Sequence, residues 1–290
     1  MRILVFLLLN LFVVSVGGQI VNVKKHYQLK EVEGKNVFHP IFDPQGSQLL
    51  VTSENYVGLD LLNIHTGDMV SITKEEGAGF NPVFSGDGQT ILYQETISKE
   101  KRQYRTLMNF DLSTKKAIRL SEMTRSQNDL NKIQSTLVQK EKRSFGGISV
   151  ITEDLKIVLY QNGNKKELMP VGTVPGYIWV SLSPNGEMIL FTAVSKGTFV
   201  CDLSGKVISF LGNLNAPVWY GNDYVVGMKD KDDGNVITSS KVIIATIDGK
   251  TRQELTPKER IALYPATSSV SKQIAYCTDK GELFIMEIDK

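Results

Sequence analysis

The sequence predicts an all-β fold of six repeated units, each a four-stranded antiparallel sheet, and three observations carry that prediction. A strand–turn–strand phrase recurs along the chain, a second kind of turn recurs at a fixed place after it, and the apolar runs between turns are short and continuous. The phrase is clearest in three places. His39-Pro40-Ile41-Phe42-Asp43-Pro44-Gln45-Gly46 leads into Leu49-Leu50-Val51, and Asn81-Pro82-Val83-Phe84-Ser85-Gly86-Asp87-Gly88 leads into Ile91-Leu92-Tyr93. Val180-Ser181-Leu182-Ser183-Pro184-Asn185-Gly186 leads into Met188-Ile189-Leu190-Phe191. Gly, Asn and Asp tolerate positive φ, so these clusters are hairpin chemistry. The later turn separates a third strand from a fourth: Asn63 to Asp68, Asp111 to Lys115, Asp202 to Lys206 and Ile247 to Lys250, with a more eroded copy from Tyr160 to Lys165.

Four strands repeating every ~40–50 residues describe the blades of a β-propeller. Blades are expected to start near Phe38, Phe80, Lys132, Tyr177, Ala216 and Ala262. The third is the most eroded, with strands expected near Lys132–Gln139, Gly146–Thr152, Lys156–Gln161 and Lys165–Pro170. The sixth has only three strands before the end of the sequence. Residues 23–31 resemble the fourth strand preceding the last blade, and an unclosed ring would leave unpaired strand edges. That stretch is therefore expected to complete the sixth blade beside Gly281–Ile288. Runs such as Val242-Ile243-Ile244-Ala245 suit sheets covered on both faces. A parallel α/β fold would also use such runs but needs helices between them. Only Ser121–Ile133 offers one.

Residues 1–18 read as a secretory signal peptide: Arg2, an apolar run from Ile3 to Val14, then Ser15-Val16-Gly17-Gly18 as small residues before the cleavage point. Twelve apolar residues fall short of the ~20 that span a membrane, so no transmembrane span is expected in the mature chain. Residues 19–290 then form one propeller domain. The net charge of +2 gives no nucleic-acid footprint. Cys201 and Cys277 are too few for a disulfide framework and are expected as small buried hydrophobes.

The phrases Ser183 to Phe191 and Ser85 to Tyr93, and the segment Ile244 to Lys250, resemble the repeat of TolB-like propellers across nearly all of residues 19–290. The resemblance implies a six-bladed propeller, periplasmic and engaged in protein contacts. About twenty residues separate the signal peptide from the first blade, so the α/β domain that precedes the propeller in TolB is expected to be absent.

Catalysis is not apparent. Nucleophilic chemistry needs a nucleophile, a base and an orienting group together, yet there are 3 histidines and no Gly-x-Ser-x-Gly elbow. His26 falls on the closing strand and His65 in a turn, both as packing or solvated residues. His39 opens an innermost strand, where propellers line their channel; the matching positions are Asn81, Trp179, Ala216 and Tyr264, with none assignable in the third blade. His39, Asn81, Trp179 and Tyr264 are therefore the binding candidates at the channel mouth, competing with a simple plug. A metal-dependent enzyme would want several His or carboxylates in that ring, so no catalytic residue, metal or cofactor is expected. Asp230 to Asn235 falls short of a calcium loop, lacking Gly at the sixth place and the later Glu. Ser98 to Arg105 and Lys140 to Arg143 are basic runs, read as solvated. The function read from the sequence is a monomeric, exported binding or scaffolding module for a protein, peptide or small ligand of the cell envelope. The competing reading is a glycan- or lactone-acting hydrolase or lyase with its site in the channel.

Overall fold

The computed structural model describes residues 18–141 and 147–289. The signal-peptide stretch up to Gly17, and Lys142 and Arg143 of the basic run, lie outside these residues. The chain begins with β1 (Asn22–Gln28), set aside until the ring closes. Blade one follows as β2 (Phe38–Phe42), β3 (Gln48–Thr52), β4 (Leu59–Asn63) and β5 (Met69–Thr73), and blade two as β6 (Val83–Phe84), β7 (Thr90–Lys99), β8 (Arg102–Asp111) and β9 (Lys116–Arg119). A helix, α1 (Gln127–Glu141), precedes the three-stranded sheet of blade three, β10 (Ile148–Glu153), β11 (Lys156–Gln161) and β12 (Asn164–Leu168). Blade four is β13 (Tyr177–Leu182), β14 (Met188–Ala193), β15 (Gly197–Asp202) and β16 (Val207–Gly212). Blade five is β17 (Asn215–Tyr220), β18 (Tyr224–Asp232), β19 (Ile237–Thr246) and β20 (Arg252–Glu254). Blade six is β21 (Ala262–Ser268), β22 (Gln273–Thr278) and β23 (Leu283–Asp289), with β1 as its fourth strand. The protein is a six-bladed β-propeller.

Closure follows the expectation from the sequence. β1 runs antiparallel to β23, with Val23 opposite Ile288, His26 opposite Met286 and Gln28 opposite Phe284. Val21, just ahead of β1, is buried among Tyr276, Met286 and Ile288.

The continuous apolar runs have a direct structural meaning. In β3, Leu49 and Val51 join the cluster shared with blade six, whereas Leu50 joins the cluster shared with blade two. In β14, Ile189 and Phe191 face blade three and Leu190 faces blade five. Val225 and Val226 of β18 divide between blades four and six in the same way. Successive side chains of a strand point to opposite faces, and here both faces are interior.

Blade three departs from the expectation. Lys132–Gln139 was expected as its innermost strand, and those residues lie instead in α1. Leu130, Ile133 and Leu137 have helical spacing, and Ser126 caps the helix, its Oγ accepting the Asp129 N–H at 3.2 Å. Leu130 is buried. The helix occupies the place of the missing strand. Gln134 Nε2 donates to the Asn81 carbonyl, beside the innermost strand of blade two, at 2.9 Å, and Lys132 pairs with Glu153 of β10 at 3.0 Å. With no strand among the described residues inside it, β10 is half-buried from Ile148 to Thr152, whereas β14 is buried from Ile189 to Ala193. The sheet of blade three therefore has three strands, not the four expected.

One turn glycine is fixed by two demands at once, a left-handed backbone and a close neighbour. Gly249, in the turn between β19 and β20, has φ +72°, and a Cβ there would stand 2.5 Å from the Phe210 carbonyl oxygen of blade four. Gly163, in the matching turn of blade three, has φ +77° and open space. Gly163→Ala is expected to cost about 1 kcal/mol, the conformational part alone, and Gly249→Ala about 2–4 kcal/mol because blade four must also move. Urea unfolding of the two variants measures the difference, and equal losses would show that contact between blades does not constrain the turn.

Candidate functional site

The five positions expected at the channel mouth share one backbone feature. His39, Asn81, Trp179, Ala216 and Tyr264 have φ of 50°, 51°, 49°, 44° and 50°, all left-handed. In β2, β13, β17 and β21 the pairing register shifts across this position, so each is a β-bulge. Left-handed backbone costs a non-glycine residue ~1–2 kcal/mol, with Asn and His the best tolerated of these. Four of the five precede a buried proline: Pro40, Pro82, Pro217 and Pro265. Proline has no N–H to leave unpaired at a bulge and disfavours right-handed helical backbone in the residue before it. The local sequence therefore builds the bulge, and the bulge re-aims the side chain before it.

The side chains do not form an even ring. His39 and Tyr264, on adjacent blades, meet with ring centroids 3.9 Å apart. Tyr56, from the turn between β3 and β4, stacks on His39 at 4.3 Å and meets Phe80 edge-on at 5.5 Å. Tyr264 and Ala216 pack with Phe38 over the buried Met228, Leu263 and Cys277. Asn81 and Trp179 stand apart from this aromatic group. Asn81 is exposed, and Trp179 is 41% exposed. Burial lowers the His39 pKa to about 4 and raises those of Tyr56 and Tyr264. All three rings are therefore neutral at pH 7. Such a surface stacks against planar or apolar groups and supplies phenolic hydrogen bonds, and it offers no strong base.

The remaining candidates fall elsewhere. His65 is exposed in its turn. His26 packs into blade six, with Nε2 2.7 Å from the Tyr276 hydroxyl and 3.3 Å from Arg260 Nη1, while Arg260 lies over the Phe284 ring at 3.8 Å. Asp233 caps a hairpin tip by accepting the Asn235 and Val236 N–H groups. Ser98 to Arg105 is the tip of the long β7–β8 hairpin, turned by Glu100 and Lys101 with positive φ. Both cysteines are free and buried, and burial lifts their thiols to about 12. Among the described residues, no three His, Cys, Asp or Glu side chains are grouped to hold a metal ion, and no helix is long and apolar enough to cross a membrane.

With this geometry in hand, solved structures locate the fold. TolB from Acinetobacter baumannii matches 79% of this chain and 56% of its own at 18% identity, with a TM-score of 0.56. The fold is the TolB-like six-bladed propeller. The β-propeller domain of Myceliophteria thermophila Cps50 (Swd1) matches 93% of this chain and 100% of its own at 10% identity and a TM-score of 0.53. The tricorn protease matches 88% of this chain and 26% of its own, at 13% identity and a TM-score of 0.54. At these identities the likeness establishes architecture alone, and this chain spans just over half the length of TolB. No protein-family profile and no curated protein matches the sequence.

Sequence reasoning missed Tyr56 and Phe80. The repeated X-Pro at the inner strands marked the bulges, but no sequence pattern shows that a turn between β3 and β4 reaches back to His39.

Proposed function

We propose that the protein is an exported, non-catalytic binding or scaffolding module that engages a protein or peptide at the channel mouth. The observation that carries this reading is the set of five left-handed residues at equivalent positions, four of them at β-bulges. Strained backbone repeated at equivalent positions persists where surrounding structure holds it, and such outliers cluster at ligand-binding sites. Here they re-aim the residues expected at the channel mouth, among them an exposed tryptophan and the His39 and Tyr264 rings, which pack together with Tyr56 on His39. Aromatic residues anchor interfaces because they bury large area at little conformational cost. Protein-contacting propellers of the TolB kind support the reading by fold. Export, to the periplasm or beyond, rests on Arg2 and the apolar run after it.

The test immobilises residues 19–290 and captures partners from envelope extract for mass spectrometry, alongside Trp179→Asn. Asn81 already occupies the same backbone conformation in blade two, so the variant keeps the fold. A specific partner held by the wild type and weakened about tenfold or more in Trp179→Asn is the expected result. A partner held equally by both, or no partner together with turnover of a glycan or lactone, overturns the proposal.

A further inference from the structure

Beside the His39–Tyr56 stack lies a cavity of about 490 Å³, walled by the turn between β3 and β4, the segment leading to β6, the β7–β8 hairpin and the start of α1. Its size falls within the roughly 300–1,000 Å³ of small-ligand clefts. Tyr56 and Phe80 form an aromatic wall, and Tyr56 is the ring that stacks on His39, so the cavity and the mouth share a side chain. Gln94 and Gln127 supply amides, already oriented because Gln127 Nε2 donates to Gln94 Oε1 at 3.1 Å. Two charges face the cavity, Arg105 and Glu76. They form no ion pair with one another. The Arg105 side chain donates to neutral Gln103, at 3.4 Å, and no carboxylate among the described residues pairs with it.

We propose that this cavity receives a peptide segment that sets a carboxylate against Arg105 and an apolar side chain against Tyr56 and Phe80. The inference deepens the binding reading above and rests on it. A guanidinium matches a carboxylate in a two-bond fork, and such charge-assisted pairs are the stronger hydrogen bonds. Amide side chains carry both a donor and an acceptor, the complement of a peptide backbone. Glu76 disfavours a second negative group, so the site selects a ligand with one anionic end. The carboxylate comes from a chain terminus or from an Asp or Glu side chain, and the two sources are separable.

Three fluorescein-labelled tetrapeptide pools ending in Phe are titrated by anisotropy against residues 19–290: a free acid, its amide, and an amide with Asp fixed before Phe. The free acid is expected to bind at least about tenfold more tightly than the amide. Binding of the Asp amide at the level of the acid assigns the side-chain source and equally supports the site. Arg105→Gln removes the preference for a carboxylate, and Phe80→Ala weakens all pools together; unchanged thermal midpoints verify both folds. The inference is overturned if the acid, amide and Asp pools bind alike, if the preference survives in Arg105→Gln, or if trigalacturonate binds and the peptides do not. Loss of the peptide effect while Trp179-dependent capture persists sinks the cavity and leaves the mouth standing.

Discussion

A protein of residues 32–290 is expected to unfold at a midpoint lower than that of residues 19–290 by about 10 °C or more, over a broadened transition, and to sediment as oligomers. The reason is mechanical. Each blade hides its apolar faces because another blade or strand covers them, and β1 covers the outer edge of β23 in blade six. Val21 is 1% exposed and Leu29 is 4% exposed; burying two such side chains contributes about 3–6 kcal/mol before the cost of ordering the segment. For a domain of this size each kcal/mol moves the midpoint by roughly 2–4 °C. Without β1, Met286 and Ile288 lose the cover of Val21, and the unpaired N–H and C=O groups of β23 become a template for another chain. His26 leaves too, freeing Tyr276 and Arg260 from their shared contact. Circular dichroism melts and sedimentation velocity on both proteins decide it. A monomer with an unchanged midpoint would mean that β1 merely decorates the sixth blade.

The legible part of this fold is the part where the backbone demands a particular residue type. Gly46, Gly88 and Gly186 sit at φ 72°, 73° and 76° in the first turn of their blades, so the repeat phrase had to carry glycine at that offset. Pro40, Pro82, Pro217 and Pro265 follow left-handed residues, so the inner strands also announced themselves. Closure was legible by arithmetic, one strand missing at the end and one surplus at the start. Blade three was not, because Lys132–Gln139 satisfies strand and helix spacing over so short a window, and only the longer register from Leu130 to Leu137 separates them. His39, Asn81, Trp179, Ala216 and Tyr264 were legible as equivalent positions, yet their uneven grouping was not: contact between His39 and Tyr264 depends on how two blades abut. The cavity beside them was invisible for the same reason, since its walls come from segments as distant as Asn55 and Gln127.

Acid is expected to destabilise the mouth through His39. Its ring lies within stacking distance of Tyr56 and Tyr264, and burial lowers its pKa to about 4, from 6.5 in the unfolded chain. A histidine whose folded pKa is depressed is held neutral by the fold, so its contribution is complete above pH 6.5. That contribution declines as pH falls below 6.5 and is gone once the folded pKa near 4 is passed. The full span is worth at most about 3 kcal/mol; attraction of the imidazolium to the two phenol rings offsets part of it. His26 acts in the same direction, its pKa lowered first by burial and then by Arg260. The variant that isolates His39 is His39→Tyr, which keeps an aromatic ring at the φ that Tyr264 itself adopts in blade six. Between pH 7 and pH 4 the wild type should lose more stability in urea than His39→Tyr does, while both retain the smaller loss due to His26. Identical pH profiles would show that protonation of His39 is not resisted by the fold, and that water, not stacked rings, surrounds it at the mouth.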